Sequence, residues 1–316
     1  MKNLLLFIII ISLTVCSTTL EKENGKELQK EEVDTQEISG KLDIPGTLFT
    51  YTAHGNGTPI ITFIGGNKLG MNAYPDKLLK HVTLIHADAE NISAEEATKI
   101  TMDQILDDID KVRIALDLDK ISVLGHSMKG ILPMEYALKY PDNLLFGIST
   151  GGLPFRNKEY YQAREDYWGS FASEGRKSIR KKSLEAWEAV DKENMTASEK
   201  FIGTYIANTA YYYYDSLFDQ SGMWKEVVMN MYYGDHYWET VLPARDSYNT
   251  YHQVKSPILI ISGKYDFVAP HFLWEGISDS IPKGEFHLFE KAGHNPMVEI
   301  PDEFTKVVVD WIESNR

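Results

Sequence analysis

The stretch ISVLGHSMKG, residues 121–130, contains the pattern that decides the fold. Ile121–Leu124 is an apolar run typical of a strand, and Gly125, Ser127 and Gly130 follow it where a helix-like segment begins. A serine hydroxyl is a weak nucleophile unless the backbone exposes it and a base removes its proton. A tight turn from strand to helix exposes it, and the glycines let both elements approach closely. The pattern predicts a nucleophilic serine, although by itself it is common.

Elsewhere in the chain, strand-like runs alternate with segments of helical periodicity. Short apolar runs bounded by turn residues predict strands, and apolar side chains at helical spacing predict helices. Strands that alternate with helices indicate an α/β fold with a mostly parallel sheet flanked by helices. The predicted strands include residues 60–64, 82–88, 121–124, 144–148, 257–263 and 286–289, and the predicted helices include 94–116, 130–139 and 303–313.

Two later segments supply the partners that a serine nucleophile needs. Asp266 follows the buried strand-like run PILIISG, and His294 lies in a loop after the run FHLF. Serine, then acid, then histidine is the chain order expected when a serine on such a turn forms a catalytic triad. Taken singly, an ordinary turn aspartate and an ordinary loop histidine are the commoner roles for such residues. Together, their order and their positions after strands favour a triad.

From about Leu42 to Trp311 the chain resembles the α/β-hydrolase superfamily, and its last third resembles the branch related to proline iminopeptidases. The segments GKYDFVAP, residues 263–270, and AGHNPMVEIPDEF, residues 292–304, carry the resemblance most specifically. It implies hydrolysis of an amide or ester bond through an acyl-enzyme, with a small molecule or short peptide as substrate. Removal of an N-terminal residue from a peptide is the leading expectation. A carboxylesterase or lactonase acting on small acyl substrates is the alternative.

The resemblance also assigns roles to individual residues. It implies that Ser127 is the nucleophile, that His294 is the general base and then the acid, and that Asp266 orients and stabilises the imidazolium. The backbone N–H groups of Gly66 and Met128 are expected to form the oxyanion hole.

Some positions depart from the family pattern. Ile64 and Asn67 replace a histidine and a proline in the loop ITFIGGN, and the sequence HADAENIS, residues 86–93, replaces an arginine- and glycine-containing loop. Lys129 stands where a further glycine is usual, and we expect its side chain to point outward along the cap-side surface. These departures also leave open a third function, a ligand-binding protein with an idle triad.

Residues 155–251 interrupt the alternation of strands and helices. This segment is rich in tyrosine and tryptophan and shows helical stretches, so it predicts a mostly helical cap between core segments 39–154 and 252–316. An aminopeptidase must bind a free ammonium group, and in a pocket of low dielectric constant that binding needs a carboxylate. Each cap acid is also compatible with a solvated surface charge. The acids beside aromatic residues are Asp215, Glu226, Asp235 and Glu239.

The first residues predict export. Lys2 precedes a short apolar run, so residues 1–16 resemble a signal peptide. Cys16, the single cysteine, resembles a bacterial lipidation site, although Val15 departs from the usual small residue. A lipid anchor to a bacterial membrane is the leading expectation, with plain secretion or an uncleaved anchor as alternatives. Residues 17–38 are charged and nearly free of apolar side chains, which predicts a flexible linker.

Composition narrows the classes of ligand. The chain has 32 Lys and Arg against 46 Asp and Glu, a net charge of −14, and such a surface repels nucleic acid. His236 and His271 lack metal-ligand partners at useful spacing, and no dinucleotide or P-loop motif follows a strand, so neither metal nor cofactor is expected. His126 is expected to pack beneath the serine turn. The sequence leaves the oligomeric state open.

Overall fold

The computed structural model describes residues 40–65 and 67–315. The predicted signal at residues 1–16, the lipidation of Cys16 and the linker at residues 17–38 lie outside the described residues and stay predictions. Within the described ranges, none of the helices combines the length and apolar character needed to cross a membrane.

One sheet of eight strands organises the described part of the chain, in the order β1-β2-β4-β3-β5-β6-β7-β8. β1 pairs antiparallel with β2 and β2 with β4, while all other neighbours are parallel. The strands are β1 (Gly40–Leu42), β2 (Thr50–Gly55), β3 (Thr58–Phe63), β4 (Val82–Asp88), β5 (Ile121–His126), β6 (Leu144–Thr150), β7 (Ile258–Gly263) and β8 (Gly284–Phe289). The predicted α/β fold with a mostly parallel sheet is confirmed.

Helices connect these strands. The described α-helices are α1 (Asn67–Ala73), α2 (Ala94–Ala97), α3 (Met102–Ala115), α4 (Leu132–Lys139), α5 (Lys158–Phe171), α6 (Glu174–Glu188), α7 (Ala197–Ala207), α8 (Thr209–Tyr212), α9 (Met231–His236), α10 (Ile277–Ser280), α11 (Pro296–Glu299) and α12 (Pro301–Ser314). Short 3-10 helices lie at Leu78–Lys80, Ser127–Lys129, Ser247–Gln253 and His271–Trp274, and a π-helical turn spans Tyr237–Val241.

The sheet is covered on both faces, as a parallel sheet requires. Every residue of β5 and β7 is buried, and the apolar face of α3 contributes Ile105 and Ile109 to the core. On α12, Trp311 packs edge-on against Phe146 of β6, with 5.6 Å between ring centroids. Continuous apolar strands without alternation therefore follow from burial on both sides.

The predicted helical segment 94–116 is interrupted. Its apolar periodicity is real, but the chain forms α2, a break, and then α3. Thr101 ends the break because its hydroxyl accepts the backbone N–H of Gln104 while the Gln104 side chain accepts the N–H of Thr101. Such a capping box satisfies free donors at a helix start and so fixes where α3 begins.

Between β6 and β7 the chain forms α5 to α9 and the π-helical turn, without a strand in residues 151–257. A buried ion pair attaches the end of this segment to α4, the helix that follows the serine turn. Glu135 on α4 is fully buried, and its carboxylate accepts a hydrogen bond from Arg245 Nε at 3.0 Å and one from the hydroxyl of Ser247.

Candidate active site

The predicted nucleophile lies at the end of β5, where the strand meets a short 3-10 turn. Ser127 has a φ of 55°, in the left-handed region that non-glycine residues seldom adopt. The strand and the turn pack too closely for a side chain at position 125, because a Cβ at Gly125 would lie 2.1 Å from the Lys129 carbonyl oxygen. A strained residue held by close backbone packing is typical of functional sites.

Ser127, His294 and Asp266 form a continuous hydrogen-bond relay. The distance from His294 Nε2 to Ser127 Oγ is 2.9 Å, and that from His294 Nδ1 to Asp266 Oδ2 is 2.7 Å. A carboxylate only accepts, so Nδ1 carries the proton and Nε2 is left to accept from the serine hydroxyl. The second Asp266 oxygen accepts the backbone N–H groups of Val268 and Ala269 at 2.9 and 2.8 Å. The aspartate is thus fixed in one orientation.

The loops that carry the acid and the histidine explain this convergence. Asp266 follows β7 and His294 follows β8, and the carboxyl ends of parallel strands share one edge of the sheet. The cap segment also contacts the histidine loop, since the His294 N–H donates to the Tyr212 carbonyl at 2.6 Å. Asp266 and His294 are 0% and 2% exposed, so their relay is shielded from water.

His126 packs beneath the turn, as the sequence predicts. It is buried, its Nδ1 donates to the Thr150 carbonyl at 2.9 Å, and its ring lies 4.9 Å from that of His294. Burial, reinforced by the neighbouring His294, lowers the pKa of His126 well below its ordinary value. The ring is therefore neutral and adds no charge beside the relay.

The expectation for Lys129 is wrong, because its side chain is buried rather than outward. Its ammonium group donates to the hydroxyl of Tyr233 and lies 3.9 and 3.4 Å from the ring centroids of Tyr233 and Tyr237. Burial lowers the pKa of Lys129 well below its ordinary value. Aromatic faces attract a cation, so these two tyrosines create an environment that the sequence of residues 121–130 did not reveal.

The oxyanion assignment stays a prediction. Gly66 lies outside the described residues. Met128 follows the predicted nucleophile and lines a cavity that opens over the relay. Phe63, at the end of β3, pairs with Gly125 of β5, so the chain that leads toward Gly66 runs beside the serine turn.

A cavity of about 380 Å³ opens over the relay, between the sheet edge and the cap segment. Ser127 and His294 line its floor, and most of its wall is apolar or aromatic, including Phe201, Tyr212 and Trp224. This size and lining are typical of a site for a small organic ligand.

Of the four predicted cap acids, Asp235 is the one that lines this cavity; it is exposed to solvent. It follows Gly234 near the end of α9, on the wall that also contains Trp238. One of the four predicted acids therefore borders the cavity.

The other three acids have different partners. Glu226 forms an exposed ion pair with Lys68 at 3.3 Å, and Glu239 accepts Arg156 at 3.0 Å. The Asp215 side chain accepts a backbone N–H of its own loop at 2.9 Å. Their interpretation as ammonium ligands is not supported by these positions.

Sequence reasoning missed two cationic residues in the cavity wall, Arg164 of α5 and Arg180 of α6. Neither belongs to a recognisable motif. They lie on different helices, so no spacing in the sequence links them to each other or to the cavity.

No cluster of histidine, cysteine or carboxylate side chains within residues 40–65 and 67–315 is arranged to hold a metal ion. His236 instead contacts the Ile100 carbonyl through Nε2 at 2.9 Å.

The sheet order, the strained serine after β5 and the relay are together typical of a known family of proteins. A model of the alpha/beta hydrolase fold family matches residues 86–301, more than half of the chain. The chain therefore belongs to the alpha/beta hydrolase fold family and is a hydrolase.

The chain is also similar to individual proteins of known sequence or structure. The chain is 26% identical over 283 residues to AB hydrolase superfamily protein YclE of Bacillus subtilis, covering 88% of this chain and 99% of that protein. It is 25% identical to a proline iminopeptidase of Heyndrickxia coagulans, covering 87% and 98%. Among solved structures, an alpha/beta fold family hydrolase from Bacillus anthracis str. Sterne superposes with a TM-score of 0.65 at 21% identity, covering 86% and 98%.

Proposed function

We propose that the protein is a serine hydrolase that cleaves an amide or ester through an acyl-enzyme. The observation that carries this proposal is the relay from Ser127 Oγ through His294 to Asp266, with distances of 2.9 and 2.7 Å. Ser127 Oγ attacks the substrate carbonyl carbon while His294 Nε2 takes its proton. The imidazolium then protonates the leaving amine or alcohol, and the carbonyl re-forms as an acyl-serine.

Deacylation reverses these proton movements. A water molecule loses a proton to His294 Nε2 and attacks the acyl carbon, and the released serine oxygen recovers that proton. Asp266 keeps its orientation throughout, since its second oxygen is held by two backbone N–H donors and its first by His294. Preorganised donors that need no rearrangement are an efficient source of transition-state stabilisation. Met128 N–H, with Gly66 N–H, is our proposed oxyanion hole.

For the substrate, a short peptide with a free N-terminus is the leading proposal. The Heyndrickxia coagulans relative is named a proline iminopeptidase, and Asp235 provides a carboxylate in the cavity wall for an ammonium group. A carboxylesterase acting on small acyl substrates is the second candidate. It is favoured by the position of Asp215, Glu226 and Glu239 outside the cavity lining.

Labelling and turnover test the chemistry. A fluorophosphonate probe should modify Ser127, and Ser127→Ala should abolish labelling. His294→Ala should lower kcat on the order of three decades or more, because triad members act as a unit. Glu226→Gln, which alters an exposed ion pair away from the cavity, is the control. Full labelling of His294→Ala would contradict the assignment of the base.

Paired substrates separate the two candidates. Proline and alanine p-nitroanilides should be cleaved, N-acetylation should remove most of the turnover, and Asp235→Asn should raise KM for the free amine. An esterase should instead cleave short p-nitrophenyl esters well and treat free and acetylated amines alike. Equal rates for free and acetylated anilides would overturn the aminopeptidase proposal while leaving the serine mechanism intact.

A further inference from the structure

Two arginines from different helices meet on the cap wall of the catalytic cavity. Arg164 of α5 and Arg180 of α6 are half-buried, and both line the cavity. Their guanidinium carbons lie 5.6 and 4.5 Å from the ring centroid of the same side chain, Tyr211. Both positive charges therefore lie beside one tyrosine ring, and Arg164 acts electrostatically on Arg180.

The groups that hold these arginines are neutral. Arg164 donates to the hydroxyls of Tyr211 and Tyr160, both at 3.2 Å. Arg180 donates through Nε to the side-chain oxygen of Asn208 at 2.8 Å. The carboxylate of exposed Glu165 acts on Arg180 electrostatically, but no ion pair joins either arginine to a carboxylate in the part of the chain that the structure describes.

This arrangement does not follow from a shortage of acids. The chain has 46 Asp and Glu against 32 Lys and Arg. Arg113 pairs with Asp110 at 2.7 Å and Arg245 pairs with buried Glu135, so two other partly buried arginines do have acid partners. Half-buried Arg176 instead donates to the backbone carbonyls of Ala210 and Tyr213. Like charges in a poorly solvated wall repel one another, and burial lowers the pKa of the Arg180 guanidinium. Burial acts on Arg164 in the same direction, but its contacts with Tyr160 and Tyr211 outweigh burial and raise the pKa of that guanidinium. An anion bound between the two would relieve both costs.

The arginine pair lies beside the reacting groups. Tyr211 precedes Tyr212 on α8, and the Tyr212 ring centroid is 5.7 Å from that of His294. The Tyr212 carbonyl accepts the His294 N–H. A substrate whose carbonyl is attacked by Ser127 can thus extend along these tyrosines to the guanidinium groups.

We propose that the substrate carries a carboxylate and that Arg164 and Arg180 bind it, several bonds from the scissile carbonyl. Guanidinium groups present paired donors that match the two oxygens of a carboxylate. Two kinds of molecule share this chemistry: an ester or amide of a dicarboxylic acid, and a short peptide whose leaving residue ends in a free carboxylate. The inference rests on the proposed function and names the substrate class of the same site.

Matched substrates test the proposal and separate these sources. For the acyl side, monoethyl adipate is compared with its neutral amide, ethyl adipamate. For the leaving side, the dipeptide Pro-Ala is compared with Pro-Ala amide. We expect kcat/KM to be at least about tenfold higher for the carboxylate member of one pair, mostly through a lower KM, since hydrogen bonds between ionised groups are stronger than those between neutral ones.

Variants assign the preference to the arginines. Arg164→Gln and Arg180→Gln should each remove it, whereas Arg164→Lys and Arg180→Lys should retain part of it because the charge remains. Lys182→Gln is the matched control, because Lys182 is exposed on the same helix as Arg180 and lies outside the cavity lining. Thermal unfolding of each variant separates loss of recognition from loss of folding.

A binding measurement makes the result independent of turnover. In Ser127→Ala, adipate should bind by calorimetry, and Arg164→Gln in that background should abolish the binding. Equal turnover of charged and neutral members together with no adipate binding overturns the proposal, as does a preference that survives both glutamine variants. The proposed function fails separately, by absence of Ser127-dependent labelling and turnover.

Discussion

The two walls of the cavity over the Ser127–His294–Asp266 relay are held in different ways. The core wall, formed by residues 125–130 with the loops of Asp266 and His294, depends on backbone contacts. A Cβ at Gly263, where β7 leads to Asp266, would lie 2.1 Å from the Gly293 carbonyl oxygen. The cap wall, formed by Arg164, Arg180, Tyr211 and Asp235, depends on side chains. Packed backbone tolerates little change, so the core wall holds the relay in one geometry, whereas the side chains of the cap wall can vary with less disturbance of the backbone.

The largest effect on stability is expected from a substitution at a glycine of the core wall. In Gly125→Ala the new Cβ would meet the Lys129 carbonyl oxygen at 2.1 Å, so strand and turn must separate. We expect a loss of about 3 kcal/mol or more in the free energy of unfolding, comparable to other overpacked cores, and loss of fluorophosphonate labelling. Urea unfolding followed by circular dichroism measures the first effect.

Gly169, on α5 in the cap segment, is the matched control. It is exposed, and a Cβ there would meet no atom within 4 Å. Gly169→Ala should therefore raise the free energy of unfolding by about 0.5–1 kcal/mol, since alanine is the better helix former. Equal stability changes in the two variants would contradict the distinction between the walls.

The core wall is also the part that could be predicted from the sequence. Ser127, Asp266 and His294 each follow a strand that the apolar runs predict, and parallel strands bring such positions to one edge. The resemblance to a hydrolase family adds their roles, which remain to be tested. Chain order and strand periodicity are properties of local sequence, so they can be read without knowing the packing.

The cap wall could not be predicted in the same way. Lys129 is surrounded by Tyr233 and Tyr237, which lie about 100 residues later in the chain. The sequence of residues 121–130 contains no signal for these contacts. Arg164 and Arg180 meet because two helices pack around Tyr211, which is a tertiary result without a local pattern. A lone arginine in a helix is indistinguishable by sequence from a solvated one.

Glu299 joins the two walls and makes a smaller, pH-dependent prediction. Its carboxylate accepts the backbone N–H of Tyr214 at 2.7 Å and that of Gly293, which precedes His294, at 2.8 Å. Burial raises the pKa of Glu299 from 4.5 to about 7, and the charge of Asp266 adds to this shift. Arg176 is the nearby cation that opposes it.

The direction in which Glu299 makes stability depend on pH follows from proton binding. Between pH 4.5 and about 7 the folded protein holds the Glu299 proton more tightly than the unfolded chain does. The contribution of this group to stability is therefore fully present below pH 4.5 and is lost as the pH rises through 7, by on the order of 1–3 kcal/mol. Glu299→Gln should remove this slope, whatever its constant offset. Unfolding measured from pH 4.5 to 8 checks it, and parallel curves for the two proteins would contradict it.

The smallest effect is expected at Lys129, which lies where the two walls meet. Its buried ammonium gains from the faces of Tyr233 and Tyr237 at 3.9 and 3.4 Å, each such contact contributing about 0.5–2 kcal/mol. Desolvation opposes that gain and lowers the pKa of Lys129. Methionine has similar length and no charge, so Lys129→Met loses both terms together. We expect its free energy of unfolding at pH 7 to lie within about 1 kcal/mol of the wild type.

A second variant and the pH dependence of stability test the explanation for Lys129. Lys129→Ala leaves a cavity and should cost about 2–4 kcal/mol, so a small effect of methionine cannot be ascribed to a tolerant site. Because burial lowers the lysine pKa, the folded protein binds fewer protons than the unfolded chain between that lowered value and the ordinary 10.5. Wild-type stability should therefore rise relative to Lys129→Met as the pH increases through this interval. A loss of more than about 3 kcal/mol in Lys129→Met at pH 7 would mean that the two aromatic contacts outweigh desolvation, and that a cation is a required part of the fold at this junction.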